Sequence, residues 1–155
     1  MVLIEWHESY ATGIPGVDYE HETLIAMIND FHAELAGNTD KDVLINMLND
    51  IYGAIYSHFM LEERQMEKYG YDHYQVHRED HGRLLDEIRD IITELEEMSR
   101  FDELQLKEKL NNWFAVHFKT HDARLHRLEE LIASEEKSGR GFMAAIKKIF
   151  TQAVQ

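Results

Sequence analysis

Two pairs of possible metal ligands occur at a spacing of four residues in the middle of the chain. His58 and Glu62 form the first pair, and His77 and His81 form the second. Residues four apart lie one turn apart on the same face of an α-helix, so each pair can reach one metal ion or two adjacent ions. The chain has ten histidines among 155 residues, and histidine is the commonest metal-ligating side chain. The spacing therefore predicts a metal site formed between helices.

Two further histidines extend this candidate site to neighbouring helices. His21 falls on the apolar stripe of an earlier predicted helix, and His117 falls on that of a later one. A buried charged group without a partner is costly, so such residues at core positions favour a bound cation. Nitrogen and oxygen donors without a thiolate suit iron, manganese or zinc. The excess of histidine over carboxylate disfavours magnesium and calcium.

The last helix offers two candidates for an additional ligand. Asp122 follows His117 by five residues, which separates the two by roughly 140° on a regular helix. His121 is the better helical partner of His117, although a locally widened helix would bring Asp122 back toward the site. Spacing alone does not choose between them. The histidines outside the candidate set are expected at the surface or its boundary, and His121 is included among them: His7, His32, His73, His121 and His126.

Four amphipathic helices are expected to position these side chains. Apolar residues at spacings of three and four predict helices over about 18–35, 41–68, 72–99 and 102–134. An irregular N-terminal arm, residues 1–16, ends in Gly13-Ile14-Pro15-Gly16, and the short connections favour antiparallel neighbours. The sequence thus predicts an all-α fold: an antiparallel up-down-up-down four-helix bundle with an N-terminal arm and a C-terminal extra helix.

The C-terminal tail differs in character from the predicted bundle. Residues 135–141 are polar and contain glycine, which predicts a break, and apolar spacing resumes over residues 142–154. Arg140, Lys147 and Lys148 make the tail basic in an acidic protein. We therefore expect a domain at 1–136 and an amphipathic basic tail at 137–155. The tail either docks as a fifth helix, or is disordered, or contacts a protein or membrane partner through residues 140–154.

Composition and charge exclude several classes of function. The chain has no cysteine, which excludes disulfides, thiolate metal sites and thiol catalysis. The net charge of −14 argues against a nucleic-acid surface. Residues 1–6 lack the features of a secretory signal, and no stretch approaches the roughly 20 apolar residues of a membrane span. We expect a cytoplasmic protein that binds no nucleic acid.

The ordered set of motifs resembles the hemerythrin family, in particular its single-domain bacteriohemerythrins, over about residues 4–130. The resemblance is carried by these elements: Trp6, Tyr10, Gly13-Ile14, Asp18-Tyr19-Glu20-His21, His58-Phe59-Met60-Leu61-Glu62-Glu63, Met66, Tyr69-Gly70-Tyr71, His77-Arg78-Glu79-Asp80-His81 and Trp113-Phe114-Ala115-Val116-His117, with Asp122 five residues later. Two positions depart from the family pattern. Glu20 stands where glutamine is usual, and Phe114 stands where leucine is common.

This resemblance implies a cofactor of two iron ions joined by an oxo or hydroxo bridge. It also implies the ligand set: His77, His81 and His117 on one iron, His21 and His58 on the other, and Glu62 and Asp122 bridging the two. Asp122 is thereby favoured over His121. The implied function is reversible dioxygen binding, for storage, delivery or scavenging, by a protein that is not an enzyme. The iron with fewer histidines would keep the open position for dioxygen.

Two other functions are compatible with the same residues. In the first, the site reports oxygen or redox state and the C-terminal helix transmits the signal. In the second, the protein is a diiron oxidase. The oxidase interpretation is weaker, because carboxylate-rich diiron proteins use Glu-x-x-His pairs, whereas this chain carries His-x-x-x-Glu and His-x-x-x-His.

Overall fold

The architecture is all-helical across the part of the chain that the computed structural model describes, which is residues 3–37, 39–97, 103–116 and 125–152. A short 3-10 helix at Glu8–Tyr10 precedes five α-helices. These are α1 at Pro15–Ala36, α2 at Lys41–Lys68, α3 at Tyr74–Glu97, α4 at Glu103–Val116 and α5 at His126–Gln152. The predicted all-α fold is confirmed.

Helices α1 to α4 form the four-helix bundle. α2 packs against α1 and α3, and α4 packs against α3 and α1, so each helix contacts its two neighbours in a closed ring. The connections after α1 and α2 are only a few residues long, as expected for antiparallel neighbours. The predicted second helix, 41–68, coincides with α2, and the predicted third helix starts two residues before α3. The predicted end of the third helix, at residue 99, lies outside the described residues.

One continuous apolar core joins the four bundle helices. Its fully buried members include Phe31, Leu48, Ile55 and Ile88. Burying each of these side chains contributes about 1.5–3 kcal/mol. Trp113 on α4 adds a directional contact, because its indole N–H donates a hydrogen bond of 2.9 Å to the carbonyl of Leu84. This core sets the spacing of the helices on which the polar residues of the interior stand.

The N-terminal arm is held against α1 by side-chain amide and carboxylate groups. Asn29 Oδ1 accepts hydrogen bonds from the backbone N–H groups of Leu3 and Ile4, at 2.8 and 3.0 Å. Asp18 accepts from the N–H of Gly13, whose φ of +82° suits glycine. α1 begins at Pro15, earlier than predicted. Proline is favoured at the first helical position, so the irregular N-terminal arm ends before residue 15 and not at residue 16 as predicted.

α5 corrects two sequence-based expectations. Leu125 lies in a turn, so it interrupts the predicted helix over 102–134. The predicted break at 135–141 is wrong, because α5 runs through it without interruption. Strong helix formers surround the glycines, and Arg140 pairs with Glu136 at 3.2 Å. Each glycine costs only about 1 kcal/mol relative to alanine. The division of the chain at residue 136 stays a prediction.

The first turns of α5 close one end of the bundle. Leu125 and Leu128 are fully buried and form a second apolar cluster with Val17, Met66 and Tyr71. Farther along, residues 134–140 of α5 are exposed. Among the described helices, none combines the length and the apolar character needed to cross a membrane.

Candidate metal centre

Glu62 lies at the centre of the buried polar cluster. Its side chain is 0% exposed, and its two carboxylate oxygens face different histidines. Oε1 lies 3.4 Å from Nε2 of His58 and 3.8 Å from Nε2 of His21. Oε2 lies 3.1 Å from Nε2 of His81 and 3.7 Å from Nε2 of His77. Each oxygen is therefore paired with one set of two imidazoles.

The helical spacing of the sequence produces this arrangement. The buried residues of α2 follow steps of three and four, and His58 and Glu62 occupy two of the positions at which apolar residues are otherwise found. His77 and His81 take the corresponding positions at the start of α3. His21 lies on the buried stripe of α1, one turn from Val17 and Leu24. All five side chains are thus placed inside by the same pattern that forms the apolar core.

The five residues form two donor groups that share Glu62. One group is His21, His58 and Glu62, and the other is Glu62, His77 and His81, with all donor atoms of a group within 4.8 Å of one another. Nε2 of His21 lies 2.9 Å from Nε2 of His58. Two nitrogens bound at right angles to one metal ion, at about 2.1 Å each, are separated by about 3 Å. The donor spacing fits a metal ion in this group.

The electrostatics of the cluster are dominated by burial. Burial lowers the pKa of His21 to about 4, assisted by the charge of His58. For His58, burial acts in the same direction, but the charges of Glu62 and Glu20 prevail and raise the pKa above 6.5. Burial raises the pKa of Glu62, but His58 and the contacts with His77 and His81 hold it well below its ordinary value. Glu62 is therefore an anion at neutral pH.

A buried anion at this position needs compensation. Within the described ranges, neither oxygen of Glu62 has a hydrogen bond of ordinary geometry, although four imidazole nitrogens lie nearby. Leaving such a group without a partner costs several kcal/mol or more. A cation between the carboxylate and each pair of imidazoles would satisfy both oxygens. Because the donors are imidazole and carboxylate, a borderline transition metal such as iron fits them.

Two further carboxylates surround the cluster. Glu20 Oε2 lies 2.9 Å from Nδ1 of His58, and Glu63 Oε1 lies 3.0 Å from Nδ1 of His81. Sequence reasoning treated Glu20 only as a departure from a family pattern and assigned nothing to Glu63. Their positions in the chain were a usable signal, because Glu20 precedes His21 and Glu63 follows Glu62.

An aromatic ring completes one side of the cluster. Phe59, on α2, stacks on His81 with a centroid separation of 3.8 Å and an interplanar angle of 1°. Phe59 is itself 1% exposed. The ring therefore restricts the rotation of His81 and covers one face of the imidazole.

Five of the seven residues predicted for the site converge in the interior: His21, His58, Glu62, His77 and His81. His117 and Asp122 lie outside the described residues, as does the rival candidate His121. Among the histidines expected to lie away from the site, His7 and His73 are exposed, and the side chain of His126 lies outside the described part of the chain. His32 is buried, so the expectation of a surface or boundary position was wrong for that residue. It lies on the same stripe of α1 as the apolar core, next to Phe31.

Two histidine pairs around one carboxylate in the interior of a helical bundle form the kind of donor set that metal-binding bundle proteins use. The family of the hemerythrin HHE cation binding domain matches residues 12–129. The chain therefore belongs to the hemerythrin family.

Several proteins are similar to this chain along much of its length. A bacteriohemerythrin of Pseudomonas aeruginosa (strain LESB58) is 24% identical, over 97% of this chain and 99% of its own length. A bacteriohemerythrin of Methylococcus capsulatus is 26% identical over 59% of this chain and 70% of its own. Hemerythrin subunit alpha of Lingula anatina is 34% identical over 54% of this chain and 64% of its own. The Pseudomonas alignment is long enough to extend beyond residue 129 and so covers more of α5 than the family match does.

Proposed function

We propose that this protein is a non-heme diiron protein that binds dioxygen reversibly, and that it is not an enzyme. The observation that carries the proposal is the position of Glu62. One fully buried carboxylate directs each of its oxygens toward a different pair of imidazoles. This is the arrangement expected of a residue that bridges two metal ions, and hemerythrin relatives cover the whole bundle.

The proposed ligand set combines described and undescribed residues. His21 and His58 would hold one iron, and His77 and His81 would hold the other together with His117. Glu62 and Asp122 would bridge the two ions, with an oxo or hydroxo group as the third bridge. When bound, the two irons would supply the reversible two-electron chemistry that dioxygen binding needs. The assignment of His117 and Asp122 rests on the family pattern.

The role of the surrounding side chains is to keep water away from the bound ions. All five described donors are at most 2% exposed. Phe59 covers the imidazole of His81, and Met66, one turn after Glu62, is fully buried in the cluster that closes this end of the bundle. Exclusion of water disfavours side reactions of a reactive bound species. This favours a carrier, storage or scavenging protein over an oxidase, as does the richness of the donor set in histidine.

A second candidate function is an oxygen or redox sensor, and α5 favours it. α5 is one unbroken helix that starts in the cluster with Met66 and Tyr71 and continues to Gln152. Residues 134–140 are exposed, and the sequence beyond them is basic and amphipathic. Under this proposal, residues 140–154 contact a protein or a membrane surface in the cytoplasm. If deletion after residue 136 abolishes partner or membrane association but keeps dioxygen binding, the sensor is favoured over the carrier.

The decisive experiment is an iron count combined with optical absorption. The purified protein is reduced anaerobically, re-exposed to air and then deoxygenated again. We expect two irons per chain and an absorption band that appears with dioxygen and disappears on its removal. A colourless or zinc-loaded protein without a response to dioxygen contradicts the proposal. Continuous turnover of a reductant under air would instead favour the oxidase.

A further inference from the structure

Each half of the buried cluster has one histidine whose outer nitrogen faces a carboxylate. In the half on α1 and α2, Nδ1 of His58 lies 2.9 Å from Glu20. In the half on α3, Nδ1 of His81 lies 3.0 Å from Glu63. The two contacts have the same chemistry and similar lengths, although the two carboxylates come from different helices. Because the same contact occurs in both halves, we expect the two carboxylates to have the same effect on the histidines that they contact.

The chemistry of imidazole explains what such a contact does. A neutral imidazole carries its proton on only one nitrogen, and the other nitrogen has the lone pair that binds a metal. A carboxylate that accepts the Nδ1 proton holds the lone pair on Nε2 and fixes the ring orientation. In both His58 and His81, Nε2 is the nitrogen that faces Glu62. The outer carboxylates therefore favour the form of each ring that can bind a metal at the centre.

We propose that Glu20 and Glu63 are positioning residues that orient His58 and His81 for metal binding, one in each half of the centre. The inference rests on the proposed metal-binding function and assigns roles to two residues outside the ligand set. Neither carboxylate touches Glu62 or the space between the histidine pairs in the described contacts, so both act through the imidazole that they contact.

The surroundings of the two carboxylates predict unequal effects. Glu20 is 34% exposed and lines an open groove of about 450 Å³ with Ser57 and Arg64. Glu63 is 14% exposed, and its second oxygen lies 3.8 Å from Nε of Arg78. Water in the groove can replace Glu20 as the acceptor for His58, whereas little water reaches the position of Glu63. Loss of Glu63 should therefore have the larger effect.

The test uses Glu20→Ala, Glu20→Gln, Glu63→Ala and Glu63→Gln in the full chain. Glu22→Ala and Glu67→Ala are matched controls, because both residues are exposed and lie on the same helices. The first readout is the nitrogen-15 NMR signature of His58 and His81 in metal-free protein at alkaline pH. Under these conditions the imidazole is neutral, and the signature reports which nitrogen carries the proton. The second is the rate at which a chelator removes ferrous iron from loaded protein.

We expect the alanine variants to lose the preference for a proton on Nδ1 of the contacted histidine only. We also expect them to release iron about 10–100-fold faster, with Glu63→Ala more affected than Glu20→Ala. The glutamine variants should recover much of both properties, because the amide oxygen still accepts the same hydrogen bond. The controls should resemble the unmodified protein.

The outcomes separate this proposal from the proposed function. If the unmodified protein binds no iron but the alanine variants change the NMR signature, the metal-binding function fails and the positioning of the rings stands. If iron binds and all four variants match the controls in both readouts, the positioning proposal is overturned. If glutamine and alanine are equally damaging, an acceptor at this position is not what matters, and the proposal is overturned as well.

Discussion

The two halves of the buried centre use similar donors in different surroundings. The half with His21 and His58 adjoins a surface groove, and its outer carboxylate, Glu20, is partly exposed. The half with His77 and His81 is more enclosed: Phe59 stacks on His81, and Glu63 is mostly buried. The difference shows that a shared ligand chemistry does not impose a shared environment. Under the proposed function, dioxygen would bind on the less enclosed half.

Removal of the shared carboxylate, Glu62, is the strongest test of whether the two halves form one centre. We expect Glu62→Ala to abolish iron binding in both halves, because each donor group contains this residue. The measurement is iron per chain after loading and gel filtration. Glu67→Ala, an exposed position on the same helix, should keep both irons. One iron retained in Glu62→Ala would show that the halves are independent and that Glu62 does not bridge them.

Removing one histidine from each half should produce smaller, selective losses. In His58→Ala, iron binding should be weakened most in the half with His21 and His58. In His81→Ala, iron binding should be weakened most in the half with His77 and His81. Isotope-labelled Mössbauer spectra of the loaded variants would distinguish the two irons. His73→Ala is the control, because its side chain is 60% exposed and lies outside both donor groups. Full iron retention in both ligand variants would mean that the site is misplaced.

The smallest expected effect concerns acid sensitivity of the metal-free protein. The pKa of His21 is about 4 in the folded chain, against about 6.5 when unfolded. Between these values the unfolded chain takes up a proton that the folded chain does not, so stability falls as pH falls. The loss is at most about 3 kcal/mol. In His21→Gln the free energy of unfolding should therefore depend less steeply on pH between 6.5 and 4.

Urea denaturation at several pH values checks this expectation. His58 contributes with the opposite sign, because its pKa is raised, but it is present in both proteins. The difference between the two pH profiles therefore reports His21 together with its coupling to His58, whose Nε2 lies 2.9 Å away. Parallel profiles would show that burial of His21 does not disfavour its protonation.

Much of the bundle and of the site could be predicted from helical periodicity. The positions of His58, Glu62, His77 and His81 follow from their spacing and from the apolar stripe, and the structure places all four inside. α2 has the predicted bounds because Asp40 caps its start, accepting a hydrogen bond from the N–H of Asp42 at 2.8 Å. Helix bounds and inward-facing positions of this kind follow from the spacing of apolar residues and from capping residues close by in the chain.

Features that depend on contacts between helices could not be predicted in the same way. The contacts of Glu20 with His58 and of Glu63 with His81 join residues on different helices. Adjacency to His21 and Glu62 in the chain marks the two carboxylates as candidates, but it does not identify the histidine that each one contacts. The burial of His32, by contrast, follows from its place on the buried stripe of α1 and was missed. The continuity of α5 was missed because glycines were given more weight than the helix formers around them. The metal ligation proposed for His117 and Asp122 stays a prediction.

The unbroken course of α5 has a mechanical consequence. Its base is fixed in an apolar cluster with Met66, one turn from Glu62, and its 27 residues span about 40 Å at 1.5 Å per residue. A rigid rod of that length converts a small tilt at its base into a large displacement at its tip: a tilt of about 5° moves the far end by roughly 3 Å, more than helices commonly shift in switching proteins. α5 therefore has the geometry of a lever arm with its pivot beside the buried centre.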